Sequence, residues 1–171
     1  MFKTLTSGAK ASGLAVAAAG ILAATPAQAG TAGGTLAVSA TVTANCTVST
    51  SALAFGNVDV TAGSNVDSTG GLSVTCTNGT GWTASAGVGS GSGASFANRK
   101  MANGGDLLNY NIYTSAARTT VWGDGTASTA TIGGTGTGTA QSVTVYGRVS
   151  SGQTGVPAGA YADTVAVTVT Y

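Results

Sequence analysis

Apolar and polar residues alternate in several short segments between residue 35 and the end of the chain. In residues 35–43, Leu36, Val38, Ala40 and Val42 share one face, and threonines and small residues occupy the other. Successive side chains of a strand point to opposite faces, so this period of two predicts β-strands. Similar patterns, some of them short, predict strands over residues 53–55, 72–75, 82–86, 108–112, 141–149 and 161–171.

The segment over residues 161–171 alternates as clearly as the first one. Val165, Val167, Val169 and Tyr171 share its apolar face, which predicts a strand at the C-terminal edge of the domain. No window beyond residue 29 combines helical spacing with good helix formers. Glycine-rich tracts at 87–93 and 133–138 are expected to be flexible loops, and Asp124 is expected to bond its own backbone in a turn. The pattern therefore predicts an all-β sandwich.

Residues 1–29 have the features of a secretory signal peptide. Lys3 and Lys10 make the start positive, and an apolar run over residues 11–24 follows. As a helix, that run would span about 21 Å, less than the roughly 30 Å hydrocarbon core of a bilayer. Small residues predict cleavage between Ala29 and Gly30, and hence export. A membrane anchor is the alternative interpretation.

Export changes how the two cysteines, Cys46 and Cys76, are interpreted. In an oxidising compartment such a pair favours one disulfide, here closing a loop of about 30 residues and worth roughly 3–4 kcal/mol of stability. Two free thiols are the alternative. Two cysteines in a chain without histidine are too few ligands for a metal site.

The composition excludes most chemistry. Only 6% of the residues are charged, histidine is absent, and the six Lys and Arg are too scattered for a nucleic-acid surface. No pair of the five aspartates stands out as a catalytic pair. We therefore expect no enzyme activity, metal or cofactor. Trp82 and Trp122 could stack on a sugar in a carbohydrate-binding module or glycosidase, although buried tryptophans are more common.

An ordered set of short sequences resembles the spore coat protein U domain family, which includes the major subunits of archaic (Csu-type) chaperone–usher pili. The resemblance covers residues 36–171 and rests on these sequences: VSATV at 38–42, CTV at 46–48, LAFG at 53–56, LSVTCT at 72–77, RKM at 99–101, LNYNIY at 108–113, Arg118, VWGDG at 121–125, VYGRV at 145–149 and PAGAYADTV at 157–165. Their order, together with the leader and the two cysteines, carries the comparison.

The resemblance implies an incomplete immunoglobulin-like sandwich (the pilin fold) that lacks its last strand and is completed by donor-strand exchange. Residues 1–29 would be the signal peptide, 30–44 a donor-strand extension and 45–171 the domain. A periplasmic chaperone would fill the groove first, and Leu36, Val38, Ala40 and Val42 of a neighbouring copy would replace it with the help of an outer-membrane usher. The C-terminal strand would border that groove.

The implied function is that of a structural subunit of a surface fibre, exported through the periplasm, that supports adhesion and biofilm formation. A secreted spore-coat or matrix protein built from the same domain is the alternative, and a carbohydrate-binding module is a third hypothesis. Alternation alone leaves residues 35–43 open to being an ordinary first strand of their own domain.

Overall fold

The computed structural model describes residues 26–171, so most of the predicted signal peptide lies outside the described residues. The chain divides into two compact units, Met1–Ser39 and Ala40–Tyr171. In the first unit, residues 26–39 have neither helix nor strand. The second unit contains eight strands: β1 Cys46–Ser51, β2 Val66–Cys76, β3 Gly81–Ala86, β4 Arg99–Asn103, β5 Asp106–Tyr113, β6 Ile132–Thr135, β7 Gln141–Val149 and β8 Val167–Thr170. Over the described range, no helix is long and apolar enough to cross a membrane.

The strands form two antiparallel sheets. The five-stranded sheet has the order β1-β2-β7-β5-β4, and the three-stranded sheet has the order β6-β3-β8. The longest ladder joins β2 and β7, from Val66 opposite Val149 to Val74 opposite Gln141. β1 and β8 are edge strands, so within residues 26–171 each pairs with a strand on one side only.

The two sheets share one apolar core. The inward-facing positions of β2, β3, β5 and β7 bury their side chains alternately, as the period of two predicts. The buried apolar residues are Leu72, Val74, Cys76, Trp82, Ala84, Ala86, Leu108, Tyr110, Ile112, Trp122, Val145 and Val149. This arrangement confirms the predicted all-β fold.

The predicted disulfide is confirmed by the structure. Cys46 and Cys76 face each other across the β1–β2 ladder, with their Cα atoms 4.1 Å apart, and are bonded. Cys46 is the first residue of β1 and Cys76 the last of β2, so the covalent link closes the end of the ladder where the N-terminal extension enters the domain.

The structure differs from four of the strand and loop predictions. Residues 35–43 and 53–55 have no strand, because neither segment pairs with a strand edge. Residues 161–171 form a strand only at Val167–Thr170, where β3 provides partners. Part of the 133–138 tract is β6 rather than a loop, because Gly134 packs on the indole ring of Trp82, where a Cβ atom would lie 2.7 Å from the ring.

Candidate binding groove

An open groove of about 920 Å³ runs along one side of the domain formed by residues 40–171. Buried core residues form its floor: Leu108, Tyr110, Ile112, Trp122 and Val145. Its two walls are residues 52–60, which follow β1, and residues 156–167, which lead into β8. No strand pairing or isolated bridge joins the two walls in the described part of the chain. The sandwich is therefore incompletely covered on this side.

The first wall points alternate side chains toward the floor. Leu53, Phe55, Val58 and Val60 are half-buried, and the residues next to them are exposed. Phe55 packs edge-on against Tyr110, with 6.1 Å between the ring centroids. This segment has strand-like alternation without a strand partner on the groove side.

Two glycines make room for the first wall. A Cβ atom on Gly147 would lie 2.6 Å from Cδ2 of Leu53, and one on Gly70 would lie 2.9 Å from its Cβ. Contacts this short do not occur in real proteins, so larger residues at these positions would push the wall away from the sheet. The sequence places the glycines in β2 and β7, directly beneath Leu53.

The second wall continues the same alternation. Val156, Tyr161, Val165 and Val167 are half-buried and pack against the core. Few backbone contacts hold this wall before β8 begins: Ala102 and Ala162 form an isolated bridge, and the N–H of Gly87 donates to the carbonyl of Ala166 at 2.9 Å. The wall is thus tied to the domain on the side away from the groove.

Asp163 anchors the second wall. One carboxylate oxygen accepts hydrogen bonds from the Ser90 N–H, the Ser90 hydroxyl and the Thr164 N–H, each at 2.7 Å. The other oxygen accepts one from the Tyr110 hydroxyl at 2.6 Å. Gly89, with φ +94°, allows this approach, because a Cβ atom there would collide with the carboxylate. The 87–93 tract, expected to be a flexible loop, is thus bonded to the wall.

The two hydrogen-bonded groups shift each other's ionisation. Burial raises the pKa of Asp163, but the hydrogen bonds from Tyr110, Ser90 and Thr164 outweigh it, so the net pKa lies below its ordinary value. The pKa of Tyr110 is raised, first by burial and then by the hydrogen bond to Asp163. At neutral pH, Asp163 is therefore ionised and Tyr110 is a donor.

A buried arginine supports the same wall from the core. Arg99 has no exposed surface, and its Nη2 donates to the carbonyls of Gly87 and Trp122, each at 2.7 Å. Nη1 donates to Oδ1 of Asn111 at 2.6 Å, so the buried guanidinium is hydrogen-bonded on each side. Burial lowers the pKa of Arg99. Because Gly87 also holds Ala166, Arg99 links the wall to β5.

The structure places the residues proposed for the donor segment on the surface. Leu36, Val38 and Val42 are 87%, 85% and 83% exposed, and Ala40 is exposed as well. Ala29 and Gly30 also lie in exposed chain without helix or strand, and nothing in the fold tests cleavage there.

The C-terminal residues take different positions. Val167 and Val169 lie in β8, Val165 lies just before it in the wall, and Tyr171 follows it and is 55% exposed. Alternating burial continues over residues 161–169 even where the strand is absent. The half-buried apolar face thus ends at Val169 rather than at Tyr171, where the sequence predicted its end.

The other candidate residues are structural in this fold. Trp82 and Trp122 are buried, and their ring N–H groups donate to Gln141 and to the carbonyl of Ala84, so neither ring is available to stack on a sugar. Asp124 accepts from the N–H and hydroxyl of Thr126, which confirms the predicted turn. In residues 26–171, no three His, Cys, Asp or Glu side chains come together as a metal site would require.

Sequence patterns alone missed Arg99 and Asp163 as residues that position the groove. Asp163 could have been identified from the sequence, because it lies on the apolar face of its segment, between Tyr161 and Val165. A lone carboxylate at such a position needs hydrogen-bond partners. Arg99 left a weaker signal, as an arginine in a chain with few charged residues.

The sequence matches the model of the Spore Coat Protein U domain over residues 32–168. The chain belongs to this family. The match includes residues 36–42 as well as most of the groove, and it confirms the resemblance drawn from the short sequences. No curated protein matches this spore coat U chain.

A solved structure shares the fold of this spore coat U chain. It is the crystal structure of the CsuC–CsuE chaperone–tip adhesion subunit pre-assembly complex from the archaic chaperone–usher Csu pili of Acinetobacter baumannii. The TM-score is 0.54 at 22% identity, and the alignment covers 77% of this chain and 40% of that chain. The spore coat U chain thus spans less than half of the matched protein, and the likeness shows a common pilin-type fold.

Proposed function

We propose that this chain is a structural subunit of a chaperone–usher surface fibre, in which residues 36–42 of one copy fill the groove of the next. The observation that carries the proposal is the pairing of two incomplete parts in one chain. One is an apolar groove whose walls lack strand partners, and the other is an exposed segment of alternating apolar residues. Adding a strand to an open sheet edge is an established mode of recognition.

The energetics favour such an assembly. Burying Leu36, Val38 and Val42 contributes about 1.5–3 kcal/mol each, and ladder hydrogen bonds add about 0.5–1.5 kcal/mol apiece. Ordering the segment costs about 1–2 kcal/mol per residue. The net gain is modest, but the fibre persists because withdrawing the strand exposes the core, which makes dissociation as slow as unfolding.

The proposal extends to the partners and the route. The matched structure is described as a complex of a chaperone with a tip adhesion subunit, which supports a periplasmic chaperone that covers the groove before assembly. With the predicted signal peptide, the path leads through the periplasm and an outer-membrane usher to a surface fimbrium that serves adhesion and biofilm formation. In this role the protein is a building unit rather than an enzyme.

A second candidate follows from the family name. A coat or matrix protein could assemble by the same strand addition without a pilus. Removing chaperone and usher genes from the source cell separates the candidates, because only the fibre requires both for surface assembly.

One experiment tests the groove directly. A copy of residues 35–43 is appended after Tyr171 through a flexible linker, and thermal unfolding of the monomer is compared with that of the unappended chain. A net gain of about 2–4 kcal/mol would raise Tm by roughly 5–15 °C. The matched control carries Asp at the positions copied from Val38 and Val42. An appended chain that melts like its control would contradict the proposal.

A further inference from the structure

The base of the N-terminal extension is held beside the end of β2. The hydroxyl of Thr77 accepts from the N–H of Asn45 at 3.1 Å and lies 3.3 Å from the carbonyl oxygen of Thr43. The N–H of Thr77 donates to the carbonyl of Asn45 at 2.9 Å. The Cys46–Cys76 disulfide is the next rung of the ladder. The backbone is therefore fixed at Thr43 and Asn45, directly before β1 begins.

The anchored residues leave no linker before the apolar segment, because Val42 directly precedes Thr43. To enter its own groove, the extension would have to reverse along the free edge of β1. A two-residue turn at Thr41 and Val42 sets Ala40 opposite Thr43 and carries Leu36 only as far as Thr47. The first residue of β1 that lines the groove is Thr50, three residues beyond Thr47 along the strand. A folded-back segment therefore falls short of the groove.

Without such a restriction, the apolar segment would fill the groove of its own chain more readily than the groove of another copy. A segment tethered by a short flexible linker has an effective concentration in the millimolar range. Other copies at micromolar concentration would be outcompeted roughly 100-fold or more. A polymerising chain that carries both a donor segment and an acceptor groove therefore needs a structural reason not to close on itself.

We infer that the Thr77 hydroxyl, together with the adjacent disulfide, forms an anchor that keeps the apolar segment from reaching its own groove and so commits it to a second copy. The inference rests on the proposed function, because it concerns which groove the segment fills. Thr77 acts here as a positioning residue. It fixes the start of the extension and is not among the residues that line the groove.

The test lengthens the tether. About 16 Gly and Ser residues are inserted between Val42 and Thr43 in the full chain, which reach about 50 Å when extended and let the segment enter the groove in either direction. Monomer and polymer are quantified by size exclusion and by gel electrophoresis without boiling. We expect the monomer-to-polymer ratio to rise about 100-fold, with a monomer that resists dilution. The matched control carries the same insert between Gly33 and Gly34, upstream of the segment, and should polymerise like the natural chain.

A second comparison assigns the effect to the hydroxyl. Thr77→Val should raise the monomer fraction at least twofold, and Thr77→Ser should restore the natural ratio. Thr75→Val, two residues earlier and within β2, should leave the ratio unchanged. A long-tether variant that polymerises like its control would overturn the inference. Thr77→Val without effect would overturn the role of the hydroxyl. If the natural chain and the upstream control both fail to polymerise, the proposed function fails instead.

Discussion

Two segments near opposite ends of the chain have the same alternating pattern and different structures. Residues 35–43 are exposed and contain no strand, whereas the second segment is half-buried on one face over residues 161–169 and forms β8 over Val167–Thr170. Both are rich in Val and Thr. The difference lies in their surroundings, because β8 pairs with β3 and its approach is held by Asp163.

The comparison shows what alternation does and does not specify. A period of two gives a segment one apolar face, but a strand also needs a neighbouring edge that supplies hydrogen bonds. Val167–Thr170 fill the position next to β3, and the groove beside the preceding residues remains open. The first segment has the pattern of a strand but pairs with no strand edge within residues 26–171.

The largest expected difference between the two segments comes from a charge. Val167→Asp places a carboxylate in a half-buried wall residue of β8 and should destabilise the monomer by about 2–4 kcal/mol. Val38→Asp alters an exposed residue and should leave the monomer intact while abolishing polymer. The measurements are the amount of soluble periplasmic subunit and the amount of sheared surface polymer.

The conservative changes Val167→Ile and Val38→Ile are the controls, and both should retain monomer and polymer. Loss of soluble subunit in Val38→Asp would mean that residues 35–43 are an ordinary strand of their own domain. The two segments would then both be strands of their own domain, and the difference drawn between them would be wrong.

The sequence predicts the paired parts of this fold better than the open ones. The buried strands around Leu72–Val74, Trp82 and Val145 follow from alternation, because their side chains face a common core. β1 and β4 were not expected, since β1 exposes nearly all of its side chains and β4 carries Arg99 as its buried residue. Pattern alone cannot show these strands, because their positions depend on the ladders they join.

The groove was expected from the family resemblance alone. Its walls are made by residues 52–60 and 156–167, and the contacts that place them join residues far apart in sequence, such as Ser90 and Asp163. The alternation within one short segment cannot predict contacts between residues that are far apart in sequence. The disulfide was the exception, because two cysteines in a chain with a predicted signal peptide leave one pairing.

Substitution of Asp163 is expected to have a smaller effect on stability. Asp163 holds residues 161–171 against the domain, and residues 35–42 have no such anchor within the described chain. Its folded pKa is lowered, so its contribution to stability is present above about pH 4 and is lost as the pH falls through the folded pKa. Asp163→Asn should cost about 1–2 kcal/mol at pH 7 and flatten the acid side of the stability profile. Thermal unfolding between pH 2 and pH 7 measures both.

The matched control for Asp163 is Asp59→Asn. The hydrogen bonds to Thr61 lower the pKa of the exposed Asp59 as well, but they join residues only two positions apart and can also form in the unfolded chain. Its profile should follow that of the natural chain. A profile of Asp163→Asn that keeps the full acid dependence would assign the effect to other carboxylates.

The smallest effect is expected at the last residue. Tyr171 ends the apolar face in sequence, but in the structure it is 55% exposed and contacts Asn45 through one long hydrogen bond of 3.4 Å. Tyr171→Ser should therefore change the free energy of unfolding by about 0.5 kcal/mol or less. Val169→Ser, on the same face but half-buried, should cost about 1–2 kcal/mol. Equal losses in denaturant unfolding would place Tyr171 in the core.

The disulfide at the start of β1 also determines how the domain carries mechanical load. Tension on the N-terminal extension passes the hydrogen bonds between Thr77 and Asn45 and then reaches Cys46, where the covalent bond transfers it to Cys76 at the end of β2. β2 is eleven residues long and is flanked by β1 and β7, so the load spreads over two ladders. Under reducing conditions the same tension would instead peel the edge strand from its neighbour, one pair at a time.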